Sequence, residues 1–534
     1  MAIYLLLASV IILICVLFNK LSNKVGIPML LAFIVLGMIF GSDGLFKIPF
    51  GNYEFAEQIC SIALIFIMFY GGFGTSWNEA KPVAVKSILL STLGVIFTAI
   101  LTGFFCYFIL HIELLESLLI GAVISSTDAA SVFSILRSKK LNLSDNTASM
   151  LELESGSNDP CSYMLTAIVL SIMTGKANTS MVAYMVFAQL VYGIIIGVII
   201  SILSIYILRR FKFTTAGFDM AFVIGVAILS YALPSVIGGN GYLSTYIVGI
   251  VLGNTDIANK KSLVNFFDGV TGLMQMLIFF LLGLLAFPSQ IPSIFLPSIA
   301  IALFLTFIAR PLAVFAILKP AKCKLPQLLL VSFAGLRGAA SIVFAIMATV
   351  SPAYTRNDVF HIVFCIVLLS ISFQGTLIPW VAKKLGMIDD NANVLKTFND
   401  YSEENDIQFI KLAITKHHPW KNKLIRDIIL PPDTLIVMLM RNKEAIVPNG
   451  NTILYEKDIA VLSATPFQDE NSIKFIEKKI TSNSKWKNKK ISESSISSDE
   501  LVIMIKRKGK IIIPRGNTLI EENDVLVINS PIEA

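Results

Sequence analysis

Two carboxylates, Glu154 and Asp159, stand in the run LELESGSNDP (151–160), inside a stretch that is otherwise apolar enough to be membrane-embedded. A charged side chain at the centre of a bilayer costs roughly 2.5–3.5 kcal/mol on insertion scales, so such groups mark a place where charge is bound or moved. On a helix Ser155 and Asp159 are four residues apart and share a face. Glu154 and Asn158 do the same on the neighbouring face. Pro160 has no N–H, which frees the carbonyl of Gly156. A carboxylate, a hydroxyl and a freed carbonyl at one depth suit a desolvated monovalent cation. A plainer reading is that Gly156 and Pro160 only kink the helix, and both readings can hold.

Asp128 and Arg337 join Glu154 and Asp159 as ionisable residues seven or more positions from the nearest expected span end. Left unpaired, the four would cost on the order of 10 kcal/mol. They should therefore converge on one water-accessible cluster. Asp219 and Asp268 lie within a turn or two of loops and read as helix-end residues. Arg310, two turns from a basic loop, reads as a snorkelling side chain. Asp128 closes a polar break, Ser125-Ser126-Thr127-Asp128, and Arg337 sits in a second, Gly335-Leu336-Arg337-Gly338. Each break exposes helix ends. Asp128 could neutralise the positive ends and Arg337 the negative ones, or both could be purely structural.

The elements that must position these residues follow from hydropathy. The chain has 534 residues, 55% hydrophobic and only 15% charged, with mean hydropathy +0.75. Apolar runs of spanning length fall near 2–18, 26–42, 54–74, 84–110, 114–136, 147–173, 181–208, 217–238, 240–254, 263–287, 292–318, 325–350 and 358–382. With the N-terminus outside, alternate loops carry fifteen Lys and Arg residues against three, Lys47, Lys176 and Arg356, in the others. That positive-inside bias favours an odd count and places everything after Lys384 in the cytoplasm. The two breaks then fall in the fifth and twelfth spans, which run in opposite directions. Interrupted helices in corresponding positions of two halves point to an inverted-repeat transporter with its site at the midplane.

From residue 385 onward 21 basic and 21 acidic residues fall in 150, whereas the first 384 hold 22 and 15. The formal charge of +7 thus belongs to the membrane part, where it reports topology and not nucleic-acid binding. The tail repeats itself with an offset of 66. Trp420-Lys-Asn-Lys423 returns as Trp486-Lys-Asn-Lys489, Arg441 as Arg507, Pro448-Asn-Gly-Asn-Thr452 as Pro514-Arg-Gly-Asn-Thr518, and Asp458 as Asp524. Over 420–462, 17 of 43 positions are identical without a gap, which marks two tandem modules. Strands are expected at 434–441, 445–448 and 458–462, with turn chemistry at Pro-x-Gly-Asn-Thr. The fold expected is a polytopic α-helical membrane protein of thirteen transmembrane helices (1–384), with inverted repeats and two broken crossing helices. Two small cytoplasmic α/β modules follow at 401–468 and 471–534.

These motifs resemble those of the monovalent cation/proton antiporters of the NhaP type, in the first cation–proton antiporter family. Thr127-Asp128, Glu154…Asn158-Asp159 and Gly335-Leu-Arg337-Gly-Ala are similar to that family's signatures, in the same order, and the potassium/proton branch looks most alike. Ala129 stands where many members have Pro, and Cys161-Ser162-Tyr163 follows Pro160 where a more apolar run is expected. The resemblance implies that Asp159 binds cation and proton in turn. It implies that Ser155, the backbone at Thr127 and Glu154 complete the site, and that Glu154 pairs with Arg337. It also implies a homodimer in the plasma membrane, with a mobile six-helix core moving against a dimer domain. The tail modules resemble the C-terminal regulatory subdomain of potassium-conductance regulators, the TrkA-C type. In that class such modules dimerise and can bind small regulatory ligands, sometimes cyclic dinucleotides.

If Glu154 and Arg337 stay ionised they sum to zero, and Asp159 leaves one negative charge in the site. One K+ or Na+, or one H+, neutralises it, which gives one-for-one electroneutral exchange. Asn158 enters this count by the charge it lacks. No cofactor is expected. The six cysteines and four histidines lack disulfide or metal spacing, and no nucleophile–base pair suggests an enzyme. The rival readings are a cation channel or uniporter gated by its cytoplasmic modules, and a membrane sensor without transport. No Thr-Val-Gly-Tyr-Gly filter is present for the first, and intact Asp159, Asn158 and Arg337 argue against the second. The Lys-, Ile- and Asn-rich tail suggests a bacterial host.

Overall fold

The computed structural model of this chain describes residues 9–10, 12–17, 29–128, 131–132, 141, 143–211, 217–257, 259–353, 355–388, 408–416, 418–431, 434–441, 444–464, 474–481, 484–494, 501–507, 510–512 and 514–530. It divides into two compact units, Met1–Ser402 and Glu403–Ala534. The described part of the first unit is built from helices. In chain order the longer ones are α1 (Met29–Phe40), α2 (Tyr53–Gly74), α3 (Ala84–Phe108), α4 (Leu114–Val123), α5 (Thr147–Met173), α6 (Thr179–Arg210) and α7 (Phe218–Val236). They continue as α8 (Gly241–Gly253), α9 (Lys260–Leu285), α10 (Pro288–Leu318), α11 (Leu325–Phe333), α12 (Ala339–Val350) and α13 (Val359–Lys384).

Among the described residues seven helices are long and apolar enough to cross a membrane: α2, α3, α6, α7, α9, α10 and α13. Helix α5 has the length, but Glu152, Glu154, Asn158 and Asp159 depress its hydropathy. The run expected to span at 325–350 is two shorter helices, α11 and α12, around the Arg337 break. The division at 238–240 is present, since α7 ends at Val236 and α8 begins at Gly241. Most of the run at 2–18, and residues 129–130 and 133–136 of the fifth, lie outside the described residues.

Glycine lets several of these helices touch backbone to backbone. A Cβ on Gly72 or Gly249 would come within 2.4 Å of Tyr246 O and 2.3 Å of Phe69 O respectively, so α2 and α8 meet there. Gly37 and Gly283 do the same for α1 and α9. Small residues at crossings are how membrane helices gain contact when lipid removes the hydrophobic advantage of association. Single π turns interrupt α3 (Leu90–Gly94), α10 (Leu305–Ala309) and α13 (Ser370–Gly375), and the first of these packs against α5.

In the second unit each repeat forms a four-stranded antiparallel sheet. The first copy comprises β1 (Gln408–Ala413), β2 (Leu435–Arg441), β3 (Glu444–Ile446) and β4 (Ile459–Ala464), in the order β1-β4-β2-β3. The second comprises β5 (Lys474–Lys479), β6 (Leu501–Arg507), β7 (Lys510–Ile512) and β8 (Val525–Ser530), in the order β5-β8-β6-β7. Both break register at the same repeat position, between Ile436 and Met438 and between Val502 and Met504. The first strand of each copy was not expected from sequence. Among the described residues the modules hold strands and short 3-10 turns, with no α-helix, so the expected α/β character is not seen there.

The repeat's identities hold each sheet closed. Arg441 reaches Asp458 by Nε (3.0 Å) and Nη2 (2.8 Å) and donates to Ile453 O (2.7 Å). Arg507 makes the matching bonds to Asp524, both 2.8 Å, and to Leu519 O (2.7 Å). The Thr452 and Thr518 hydroxyls accept the N–H of residues 449 and 515, which closes the Pro-x-Gly-Asn-Thr turns.

Candidate functional site

The two polar breaks cross and bond to each other. Helix α4 ends at Val123, and the chain leaves helical geometry through Asp128. Its Asp128 N–H donates to Leu336 O at 2.8 Å in the other break, and Ser126 Oγ lies 3.2 Å from Ser341 Oγ. Helix ends leave carbonyls and N–H groups without partners in the same helix, and side chains supply them here. Arg337 Nη1 donates to Ser125 O (2.8 Å) and Ser126 O (2.5 Å), carbonyls that follow α4. The Asp128 carboxylate accepts Ser131 N (3.1 Å) and Ser131 Oγ (2.6 Å). It also fills the space beside Gly338, just before α12, where a Cβ would come within 2.0 Å of Asp128 Oδ2. Ser162, in the segment that departs from the family pattern, donates to Ala122 O at 2.6 Å near the end of α4.

Helix α5 runs unbroken through Pro160 and lies against this crossing. Ser155 Oγ donates to Thr127 O (2.7 Å) and Asn158 Nδ2 to Thr127 Oγ1 (2.6 Å). Asp159 is 9% exposed, and its Oδ1 and the Oδ1 of Asn158 are buried with no hydrogen-bond partner among the described residues. A cavity of ≈ 20 Å³ opens beside Asp159, bounded by Ser126, Thr127, Asp128, Gln275 and Gly338. That is room for one water-sized occupant. The structure therefore brings Asp159, Thr127 and Asp128 to one cavity. It turns the Ser155 hydroxyl onto the Thr127 carbonyl and keeps Asn158 behind them.

The ion pairs differ from those implied by family resemblance. Glu154 faces Arg310, with Nη2–Oε1 at 2.5 Å and both side chains 2% exposed or less. Arg337 bonds to the helix-end carbonyls instead, so the Glu154–Arg337 pair is corrected to Glu154–Arg310. Arg310 does not snorkel. It is fully buried one residue after the π turn of α10. The physical reason is balance: a buried carboxylate and two buried helix-end carbonyls each need a donor, and two buried arginines serve them separately. Sequence reasoning missed Arg310, although a basic residue inside a long apolar run was the available signal. It also missed Gln275, which no motif marks. Asp219 does lie at a helix start, where Asn259 Nδ2 donates to it at 3.0 Å, and Asp268 accepts the Tyr70 hydroxyl at 3.0 Å.

The transmembrane sodium/hydrogen exchanger family model matches residues 8–384, and TrkA-C domain models match 409–468 and 475–533. The chain belongs to the sodium/hydrogen exchanger family. This antiporter-family chain is 32% identical over 457 residues to the K(+)/H(+) antiporter NhaP of Alkalimonas amylolytica, covering 85% of this chain and 79% of that one. It is 29% identical to the K(+)/H(+) antiporter NhaP2 of Shewanella sp. strain ANA-3, over 85% and 80% of the two chains. Among solved structures the sodium proton antiporter MjNhaP1 of Methanocaldococcus jannaschii at pH 8 superposes with a TM-score of 0.62 at 25% identity. That match covers 71% of this chain and 97% of the other. The exchanger is thus a multi-pass membrane protein whose relatives are transporters and not enzymes.

Proposed function

We propose that the exchanger trades one K+ or Na+ for one H+ at Asp159 by alternating access. The observation that carries this is a buried carboxylate with an unpartnered oxygen beside a cavity of single-ion size, next to the Thr127 carbonyl. The curated relatives named as K(+)/H(+) antiporters support it. Charge bookkeeping survives the change of partners. Arg310 offsets Glu154, Arg337 and Asp128 bring opposite charges to the crossed breaks, and Asp159 leaves a single negative charge for either a cation or a proton to neutralise. Asn158 keeps that count at one. On this reading Thr127 and Ser155 shape the cation's oxygen shell, while Glu154, Arg310, Asp128 and Arg337 hold the crossed breaks in place.

The thirteen-span arrangement with the N-terminus outside, the homodimer, the bacterial plasma membrane and a role in pH homeostasis belong to the same reading. So does regulation by the two TrkA-C domains through a small ligand such as a cyclic dinucleotide. The test is proton flux in vesicles driven by potassium or sodium. The wild type should exchange without response to an imposed voltage, and Asp159→Asn should abolish exchange while the protein still reaches the membrane. Cation-driven proton flux that persists in Asp159→Asn removes Asp159 from the mechanism, and voltage-dependent flux removes the one-for-one count.

A further inference from the structure

Between α10 and α13 lies a cavity of ≈ 380 Å³, separate from the small one beside Asp159. Each of its two walls includes a π turn, Leu305–Ala309 of α10 and Ser370–Gly375 of α13, and Phe333 and Arg337 also line it. A π turn widens a helix locally and is common where a helix does something besides span. Four lining side chains are themselves open to the outside: Leu303 (52% exposed), Phe307 (64%), Phe373 (65%) and Leu377 (43%). They form the rim. Both helices are long and apolar enough to cross a membrane, so in a bilayer this rim opens sideways onto lipid.

Depth and chemistry narrow the occupant. Arg337 falls midway along the apolar run 325–350. In a hydrocarbon core about 30 Å thick, that end of the cavity is roughly 15 Å from either headgroup layer. A lipid tail reaches this depth and a headgroup does not. The polar groups there already serve one another. Arg337 N–H donates to Ser370 Oγ (3.0 Å), Ser370 Oγ to Gln374 Oε1 (2.6 Å) and Gln374 Nε2 to Phe333 O (3.4 Å). The other lining residues are apolar apart from Thr306. Water does not fill a space without two to four polar partners, and an empty space of this size would forfeit contacts along its whole wall. Hydrocarbon satisfies both conditions. Arg337 Nε has no hydrogen-bond partner among the described residues, which makes a fatty-acid carboxylate the rival occupant. That rival must carry its charge to the middle of the bilayer, at the cost of any intramembrane ion.

We propose that the cavity between α10 and α13 is a binding site for one acyl chain of a bilayer phospholipid, which enters past Phe307 and Phe373 and ends near the Arg337 break. Its headgroup stays at the membrane surface. Because lipid offers no hydrophobic gain over other lipid, the chain is held by packing against walls that the two π turns shape. It lies against Ser370, the acceptor of the Arg337 N–H, and Arg337 in turn donates to Ser125 O and Ser126 O. The chain thus supports the crossed breaks from the lipid side. None of this depends on Asp159 being the exchange group.

The test places the full chain in phosphatidylcholine vesicles doped with a phosphatidylcholine that carries a diazirine near the end of one acyl chain. After illumination, mass spectrometry locates the label. Peptides holding 299–307 and 366–377 should carry about tenfold more label than α6, a selective site differing from ordinary lipid contact by at least that factor in occupancy. Helix α6 is the control because Ile202, Leu203 and Tyr206 are as exposed as the rim. Thr306→Phe, which puts a ring into the cavity, should remove most of this label and leave that on α6 unchanged. If Thr306→Phe does not reach the membrane, Ala302→Leu, a smaller filling, is read in its place. Even labelling of α6, α10 and α13, or a label that the filled cavity retains, overturns the proposal. So does labelling by a free diazirine fatty acid alone, which assigns the cavity to an anion, or labelling confined to monomers, which assigns it to a second copy of this chain. The same labelling in Asp159→Asn keeps this outcome distinct from that of the exchange mechanism.

Discussion

Glu154 and Arg310 form a pair with almost no solvent around it. Desolvating both charges is expensive, so the pair adds little net stability. Removing one partner strands the other and costs about 3–5 kcal/mol. Glu154→Gln and Arg310→Leu should therefore each lower the yield of folded protein in the membrane. The double variant should recover part of it, as measured by detergent-solubilised melting. Full stability of Arg310→Leu alone would show that Glu154 has another counter-ion. Arg337→Leu should do separate damage, because it strips Ser125 O and Ser126 O of their donor and leaves two buried acceptors bare.

At the scale of elements, glycine contacts decide where the site's walls stand. Gly72, Gly249 and Gly253 press α2 and α8 together, with a Cβ on Gly253 reaching within 2.1 Å of Phe73 O. Helix α8 also carries Tyr246 to its place over Gly156. Gly249→Val must separate two backbones, since no flexible side chain can yield. The expected result is loss of the folded protein, or a folded remnant with exchange slowed by at least an order of magnitude from a misplaced wall. A Gly249→Val protein with wild-type stability and flux would contradict the close approach. The crossed breaks follow the same logic at Gly338, whose missing side chain is the space that the Asp128 carboxylate occupies.

At the scale of the whole molecule, the exchanger joins a helical unit to two sheet modules with cores of their own, one around Leu439 and Leu454 and the other around Ile505 and Ile520. Burial tends to raise the Asp458 carboxyl, but its bonds from Arg441 and from Tyr455 N–H outweigh burial and hold it below the usual carboxylate range. Asp524 is held low in the same way by Arg507 and by Glu521 N–H. A carboxyl lowered on folding contributes stability above its unfolded value, about 3.9, and loses it as pH falls through the folded value. The melting temperature of the 403–534 unit should stay level above about pH 5 and fall below about pH 4. Asp458→Asn should flatten that fall for the first module. Deleting 401–534 tests regulation: a membrane part that exchanges without restraint supports a regulatory tail, and loss of the protein supports a stabilising one.

Much of this was legible in one dimension. Hydropathy marked a helical membrane unit, loop charge its expected direction, and an offset of 66 the twin modules, because period and composition are local properties. The residues themselves also singled out Asp159, Ser155 and Asp128, since polar groups in an apolar run advertise their cost, and family resemblance added Thr127. Partner choice was different. Glu154, Arg310 and Arg337 are far apart in the chain, and each arginine could have met the carboxylate. Only the packing of α10 against the crossed breaks sent Arg310 to Glu154 and Arg337 to the carbonyls of Ser125 and Ser126. Charge and depth can be read residue by residue. Which charges meet depends on distances through space, and those exist only after the helices have packed.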